Sequence, residues 1–174
     1  EDTLDKADES KNVLVIGGGV AGMEAAFVAK KRGHNVVLCE ASEELGGLAR
    51  LAAVPIGKQD LTRVIQFMSR RLYDCGVDVR LNTFVTKEML ETEFKGWEVI
   101  AAAGAKANTI PAFTCFKNWM TADDILAGKA FPGQNVVIIG GGSVGCELAD
   151  FLAPTLNDRF PRNRKVTVLE MLPE

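Results

Sequence analysis

The sequence has few of the residues that hold metals or exchange disulfides. One histidine and four cysteines occur in 174 residues, and no two cysteines form a Cys-x-x-Cys pair. A structural zinc site needs clustered Cys and His ligands, and a disulfide reductase needs two closely spaced cysteines to exchange electrons with its substrate. We therefore expect no metal site, no disulfide reductase activity and four reduced thiols. The four cysteines are Cys39, Cys75, Cys115 and Cys146.

A large excess of one charge and a long apolar run are also missing. The formal net charge is -3, the sequence pI is about 5.3, and the charges are mixed along the chain. This pattern predicts no basic surface for nucleic acid or for an anionic membrane. No apolar run approaches the roughly 20 residues that span a bilayer, and the acidic start EDTLDKADES is unlike a signal peptide. These absences predict a cytoplasmic protein that binds neither nucleic acid nor membrane.

The apolar residues occur in short runs separated by glycine-rich turns. The run NVLVI at residues 12–16 is typical of a strand buried on both faces. A helical pattern follows from Val20 to Arg32 and ends at Gly33, and the strand at residues 36–40 completes a βαβ unit. The chain therefore predicts an α/β fold with a doubly wound parallel sheet. Further predicted elements are a helix over 58–75, strands over 77–81 and 97–102 (the latter buried), and a short helix over 122–127.

An internal repeat is the most informative feature. The stretch NVLVIGGGVAGMEAA at residues 12–26 returns as NVVIIGGGSVGCELA at residues 135–149. Each copy continues to a strand that closes on a glutamate, Glu40 or Glu170, with a longer connection, expected to be a surface loop, in the second copy. We therefore predict two Rossmann-like dinucleotide-binding units in a piece of a longer protein. The predicted boundaries are a linker at 1–11, a first domain at 12–130 and an incomplete second domain at 131–174.

The two glycine motifs have the spacing that a dinucleotide requires. A pyrophosphate is held by the free N–H groups and positive dipole end of a helix N-terminus, and glycines allow it to approach. Gly17 would form the tight turn, Gly19 would leave room for the phosphate, and Gly22 would allow close packing of helix on strand. The glutamate after the next strand would accept hydrogen bonds from the adenosine ribose. The second motif assigns the same three roles to Gly140, Gly142 and Gly145.

Glu170 also bears on the choice of nicotinamide nucleotide. A carboxylate at this place binds a ribose 2'-hydroxyl and repels a 2'-phosphate, so NADH is favoured over NADPH. Arg162, Arg164 and Lys165 precede the last strand and leave an alternative open, because cations there could bind a 2'-phosphate. A solvated loop is the simpler interpretation of these residues, since long cationic side chains are mostly exposed.

Four stretches resemble the C-terminal FAD/NAD(P)-binding region of NADH:flavin oxidoreductases of the 2-enoate reductase, 2,4-dienoyl-CoA reductase and trimethylamine dehydrogenase type. The resemblance implies an upstream barrel domain with FMN and a 4Fe-4S cluster, in a part of the protein that this sequence does not include. It also implies electron flow from NAD(P)H through FAD, the cluster and FMN to an activated carbon-carbon double bond. The stretches are ELGGLARLAAVPIGK (44–58), NTFVTKEML (82–90), MTADDILAGK (120–129) and GGGSVGCELADFL (140–152).

The resemblance extends the set of cofactor-binding residues. It implies that Gly46, Gly47 and Leu48 lie along the FAD pyrophosphate and ribityl chain, and that Val85 meets adenine through its backbone. It also implies a second flavin motif, usually Ala-Thr-Gly, which here ends in Ala103 and Gly104. With the glycine motifs and their glutamates, the predicted cofactor-binding residues are Gly17, Gly18, Gly19, Val20, Ala21, Gly22, Glu40, Gly46, Gly47, Leu48, Val85, Ala103, Gly104, Gly140, Gly142, Ser143, Val144, Gly145 and Glu170.

Departures from the family pattern leave two alternatives open. Leu48 stands where a glutamine often follows the two glycines, Val20 stands where proline is common, and Ala103 stands where threonine is usual. The chain could therefore hold ADP in place of FAD, as a non-catalytic scaffold of the trimethylamine dehydrogenase type. A different two-dinucleotide reductase, such as a ferredoxin reductase or the electron-input subunit of glutamate synthase, is the second alternative, which the stretch AAVPIGK disfavours.

Several remaining residues have structural interpretations. Cys39 and Cys146 fall within elements predicted to be buried, where cysteine acts as a small apolar residue. Glu147 suits the dipole near a helix start, although the resemblance could place it beside a nicotinamide. No catalytic acid, base or nucleophile is predicted, because the cofactors supply the chemistry. The open edge of the predicted sheet could be covered by a second copy of the chain, so a homo-oligomer is a hypothesis.

Overall fold

The computed structural model describes residues 4–153 and 164–171. The chain divides by its internal packing into two compact units. Unit 1 consists of residues 1–52 and 60–105, and unit 2 consists of residues 53–59 and 106–174. The predicted domains at 12–130 and 131–174 are defined by the cofactor that each would bind, and these boundaries stay a prediction.

Unit 1 is built on a four-stranded parallel sheet. Its strands are β1 (Asn12–Ile16), β2 (Asn35–Cys39), β3 (Asp78–Arg80) and β4 (Glu98–Ala101), in the order β3-β2-β1-β4. The first crossover, from β1 through a helix to β2, contains the first glycine motif, and Asn12 pairs with Asn35 at the start of both strands. The sheet confirms the predicted Rossmann-like α/β fold.

The helices of unit 1 are α1 (Val20–Lys31), α2 (Leu48–Ala52), α3 (Asp60–Cys75) and α4 (Lys87–Glu91). The long helices α1 and α3 pack together on one face of the sheet, and α3 buries Ile65, Met68 and Leu72 against Val15 and Leu38 of the strands. This burial follows the 3.6-residue period that predicted the helix. The pattern did not predict the short helices α2 and α4.

The opposite face of the sheet packs against Phe94. The Phe94 ring is buried against Leu14, Val37 and Cys39, and it meets Trp97 edge to face with ring centroids 5.2 Å apart. The strand predicted over 97–102 is β4, and the prediction that it is buried was wrong, because all four residues of β4 are exposed. β4 is an edge strand that pairs, among the described residues, with β1 alone. A continuous apolar run does not distinguish an edge strand from a central one.

Unit 2 contains the second glycine motif between two parallel strands. Its core joins Ile125, Ile138, Leu148 and Phe151, and Val54 from the segment 53–59 packs against it. The elements are α5 (Ala122–Leu126), β5 (Asn135–Ile139), α6 (Ser143–Leu152) and β6 (Lys165–Leu169), preceded by a 3-10 turn at Pro111–Phe113. Residues 154–163 of the predicted surface loop lie outside the described residues.

The cysteines, the metal-ligating side chains and the lengths of the helices relate to three of the expectations from the sequence. All four cysteines are free thiols and lie in four different parts of the chain. Among residues 4–153 and 164–171, no group of three or more His, Cys, Asp or Glu side chains is arranged to hold a metal ion. The same residues include no helix with both the length and the apolar character that a bilayer crossing needs.

Candidate nucleotide-binding sites

Two glycines of the first motif are required by the protein itself. Gly17 has a φ of +107°, a left-handed conformation that favours glycine, and a Cβ there would lie 2.3 Å from the carbonyl oxygen of Ala102. A Cβ on Gly22 would lie 1.8 Å from the carbonyl oxygen of Gly17. Glycine at position 17 therefore allows the turn after β1, and glycine at position 22 allows α1 to pack closely on that turn.

Gly19 differs from both of these glycines. Its φ of -70° and ψ of -179° suit any residue, and a Cβ there would have no atom within 4 Å. Gly19 is the N-cap of α1. It has no side chain, so the amide groups of the first turn receive no capping hydrogen bond from it. Neither backbone conformation nor internal packing requires glycine here. The open space before a helix N-terminus fits the close approach of an anionic ligand.

Gly46 and Gly47, the second pair of glycines along the chain, lie directly beside the first glycine motif. The N–H of Gly46 donates a 2.8 Å hydrogen bond to the carbonyl of Gly18, and a Cβ on Gly47 would lie 3.2 Å from Cα of Gly19. Leu48 follows as the first residue of α2 and is half exposed. The structure thus brings together these predicted site residues from two separate stretches of sequence, and it leaves Val20 and Ala21 exposed at the start of α1.

Glu40 follows β2 and is held by donors on both carboxylate oxygens. Its Oε2 accepts from the N–H of Gly18 at 2.6 Å, and its Oε1 accepts from the N–H and the hydroxyl of Ser42, each at 2.8 Å. Burial on its own would raise the pKa of Glu40, but these hydrogen bonds, with a further one from the N–H of Ala41, together lower it. The carboxylate is therefore ionised and fixed beside the glycine motif.

The other predicted flavin contacts adjoin this end of the sheet. The N–H of Thr83 donates to the carbonyl of Glu40 at 2.8 Å, and Val85 packs nearby against the Phe94 side of the core. After β4, Ala103 lies against Gly17, and the following Gly104 has a φ of +77°. The first site is thus open along the carboxyl ends of the strands. That is the place where open α/β sheets bind ligands.

A separate cavity of about 780 Å³ lies in unit 1. It is lined by residues 43–45, Arg50, Leu81 and one face of α3, and includes neither Glu40 nor the residues of the first glycine motif. The geometry of the glycines and of Glu40 therefore defines the candidate site better than cavity volume does, because a dinucleotide binds along an open sheet edge.

The second motif repeats the main backbone features of the first. Gly140 has a φ of +108°, a Cβ on Gly145 would lie 1.9 Å from the carbonyl oxygen of Gly140, and Gly142 again faces open space. The N–H of Gly141 donates to Oε2 of Glu170 at 2.7 Å. Ser143 and Val144 are the exposed first residues of α6. Both halves of the repeat therefore place an uncapped helix start beside a strand-end glutamate.

An ion pair next to the second motif was not anticipated. Lys58 Nζ lies 2.5 Å from Oε1 of Glu147, so the segment 53–59 is tied to α6 across 89 residues of sequence. The helix-dipole interpretation of Glu147 did not include this partner. Cys146 is exposed rather than buried, because it lies on the solvent side of α6, and its thiol donates to the carbonyl of Gly141 at 3.1 Å.

Arg164 and Lys165 lie at the wrong end of β6 for a 2'-phosphate. Arg164 is buried, contrary to the prediction of a solvated loop, and donates to the carbonyls of Pro132 and Gly133 at 2.9 Å each. Lys165 opens β6, whereas Glu170 follows its last residue. Five residues of extended chain separate the two ends by about 16 Å. Arg162 lies outside the described residues.

Sequence reasoning missed three residues of these sites. Gly141 could have been found from the repeat, because it aligns with Gly18. The only indication for Lys58 was its place at the end of the stretch 44–58, which resembles the family. Ser42 gave none, since a serine after a strand is typical of any turn.

Comparison with known proteins agrees with this geometry. Residues 11–174 match a family described as pyridine nucleotide-disulphide oxidoreductase. The chain belongs to this family. The cinnamate reductase of Clostridium sporogenes is 40% identical over 168 residues, which are 97% of this chain and 24% of that protein. The bilirubin reductase of Mediterraneibacter gnavus is 40% identical over 176 residues, which are 100% of this chain and 26% of that protein.

A solved structure extends the comparison to three dimensions. A 2-naphthoyl-CoA reductase in complex with 2-naphthoyl-CoA matches with a TM-score of 0.83 at 29% identity, covering 95% of this chain and 24% of that one. The chain thus spans about a quarter of the length of these relatives. The comparisons confirm the resemblance to NADH:flavin oxidoreductases, and membership in this oxidoreductase family implies binding of FAD and of NAD(P)H.

Proposed function

We propose that unit 1 binds FAD through the first glycine motif and that unit 2 binds NADH through the second. The two sites would serve a larger oxidoreductase that passes electrons from NADH through FAD toward an activated carbon-carbon double bond. FMN, a 4Fe-4S cluster and a barrel domain would belong to the remainder of that protein. The four free thiols fit the reducing cytoplasm.

The observation that carries the proposal is the open space at Gly19 and Gly142. Glycine is present at both positions although the local backbone and packing would accept a side chain. Each position precedes a helix of ten or more residues and lies beside a glutamate fixed by the neighbouring glycine N–H. A phosphate approaching the helix start and a ribose meeting the carboxylate together account for this arrangement.

Bound FAD would supply the hydride and electron transfer, and the residues of this chain would bind and orient it. The uncapped N–H groups at the start of α1 would hold the pyrophosphate, and Glu40 would accept from the ribose. The preference for NADH rests on Glu170, whose carboxylate would repel a 2'-phosphate. The distance of Arg164 and Lys165 from that carboxylate supports the same preference.

The names of the relatives support the substrate class. Two of these relatives are named as reductases of cinnamate and of 2-naphthoyl-CoA, compounds in which a carbon-carbon π system is conjugated with a carboxylate or a thioester. An enoate or an unsaturated acyl-CoA is therefore the proposed substrate class of the whole protein.

A second candidate is a scaffold that holds ADP in the first site. Leu48 favours it, because an exposed apolar side chain next to Gly47 offers no hydrogen bond to a flavin.

Equilibrium binding of FAD, ADP, NADH and NADPH, measured by calorimetry, distinguishes the candidates. FAD should bind more tightly than ADP and lose affinity in Glu40→Arg, while NADH should bind more tightly than NADPH and lose affinity in Glu170→Arg. Equal affinity for FAD and ADP would favour the scaffold.

A further inference from the structure

Ser42 makes more contacts in the first site than a turn residue needs. Its N–H and its hydroxyl both donate to Oε1 of Glu40 at 2.8 Å. The same hydroxyl oxygen lies 2.9 Å from the carbonyl of Glu44. A hydroxyl has one proton to donate, and an ionised carboxylate is the stronger of these two acceptors. Ser42 therefore donates twice to one oxygen of the carboxylate while Glu40 is charged.

This arrangement distinguishes the two oxygens of the Glu40 carboxylate. A carboxylate has about four lone-pair sites on its two oxygens. Ser42 donates two hydrogen bonds to Oε1, the N–H of Gly18 donates one to Oε2, and the N–H of Ala41 donates to the same carboxylate. Oε1 is therefore the oxygen that Ser42 holds, and Oε2 is the oxygen that lies next to the glycine motif.

We propose that Ser42 is a positioning residue that holds the Glu40 carboxylate ionised and turned so that Oε2 faces the ribose hydroxyls of an adenine nucleotide. This role rests on the proposed function of the first site. The carbonyl oxygen of Glu44 is the alternative acceptor for the same proton, and the hydroxyl donates to it only when it does not donate to Glu40.

The second site offers an internal comparison. Two residues after Glu170 the sequence has Leu172, which carries no hydroxyl and lies outside the described residues. Within the described residues, Glu170 accepts from the backbone N–H groups of Gly141 and Met171. The serine is thus a feature of the first repeat and is not required by the motif itself.

The test couples a change in the protein with a change in the ligand. ADP and 2',3'-dideoxy-ADP are titrated by calorimetry into the full chain and into its Ser42→Ala, Ser42→Thr and Ser10→Ala variants. Ser42→Ala should weaken ADP binding about fivefold, the equivalent of one hydrogen bond, and leave dideoxy-ADP binding unchanged. Ser42→Thr should restore the affinity for ADP. Ser10 is the matched control, because its hydroxyl donates to the carbonyl of Gly33, away from the site.

A second readout needs no ligand. Titration of the Glu40 carboxyl carbon by NMR should show a higher pKa in Ser42→Ala than in the wild type and an unchanged pKa in Ser10→Ala. An unchanged Glu40 pKa in Ser42→Ala, or an equal loss of affinity for both nucleotides, would overturn the role of Ser42. A wild-type chain that binds no ADP would overturn the proposed function, and the positioning role with it.

Discussion

The backbone N–H of Gly18 donates a 2.6 Å hydrogen bond to Oε2 of Glu40, and Gly141 makes the matching 2.7 Å bond to Glu170. In both copies the middle glycine also packs on its glutamate, because a Cβ on either glycine would lie 3.1 Å from the glutamate Cβ. The residue that would meet the ribose is therefore fixed by the same loop that would meet the phosphates.

The stability of the chain should depend on pH through Glu40. Because its folded pKa lies below the ordinary value of 4.5, the ionised carboxylate stabilises the folded state. This contribution is fully present above about pH 4.5 and is lost as the pH falls through the folded pKa. Urea unfolding between pH 3 and pH 7 should show a steeper loss of stability at low pH in the wild type than in Glu40→Gln. Parallel pH profiles would contradict the prediction.

The glycines of the first motif should separate stability from binding. Gly22→Ala places a Cβ 1.8 Å from a backbone oxygen, so we expect a loss of about 1–3 kcal/mol or more in the free energy of unfolding. Gly19→Ala enters open space and should cost less, about 0.5–1 kcal/mol, because alanine is a poorer N-cap than glycine. The same Gly19→Ala variant should bind ADP at least roughly tenfold more weakly. Undiminished ADP binding by Gly19→Ala would show that the open space is not the phosphate site.

The ion pair between Lys58 and Glu147 should contribute modestly to the stability of unit 2. Both side chains are about 40% exposed, so solvent screening limits the coupling free energy to about 0.2–1 kcal/mol. A double-mutant cycle with Lys58→Met and Glu147→Gln, measured by urea unfolding at low and high salt, tests this. The coupling should decrease as salt increases. The exposed pair Arg63–Asp60, removed in the same way, provides a control with a smaller coupling.

Arg164 should be important for folding and not for nucleotide choice. Its buried guanidinium donates to the carbonyls of Pro132 and Gly133, so Arg164→Met should reduce the free energy of unfolding by about 1–3 kcal/mol. The ratio of NADH to NADPH affinity should not change. A shift of that ratio toward NADH in Arg164→Met would mean that this cation reaches the nucleotide.

The repeat made much of the fold predictable. Residues 12–40 contain a buried strand, a glycine turn, a helix and a second buried strand in the predicted order, so local pattern and final structure agree there. The glycine spacing also predicted the turn after β1, because Gly17 has a left-handed conformation and Gly22 has no room for a Cβ, whereas the role of Gly19 beside a phosphate stays a prediction. The α3 helix was predicted for the same reason, since its apolar face has a clear period.

Other features depend on contacts that no local pattern records. The exposure of β4 follows from its place at the sheet edge, and the exposure of Cys146 follows from which side of α6 meets solvent. The partners of Lys58 and Arg164 lie 89 and about 30 residues away along the chain. Such pairings become visible only when the chain has folded.

The segment 53–59 has a consequence for how this protein could exchange parts with its relatives. It comes from within the sequence of unit 1, yet it contributes Val54 and Lys58 to unit 2. A chimera that replaces residues 106–174 alone would therefore combine a foreign unit 2 with the native segment 53–59, whose side chains pack against the native core. Recombination that preserves both units has to transfer the two stretches together.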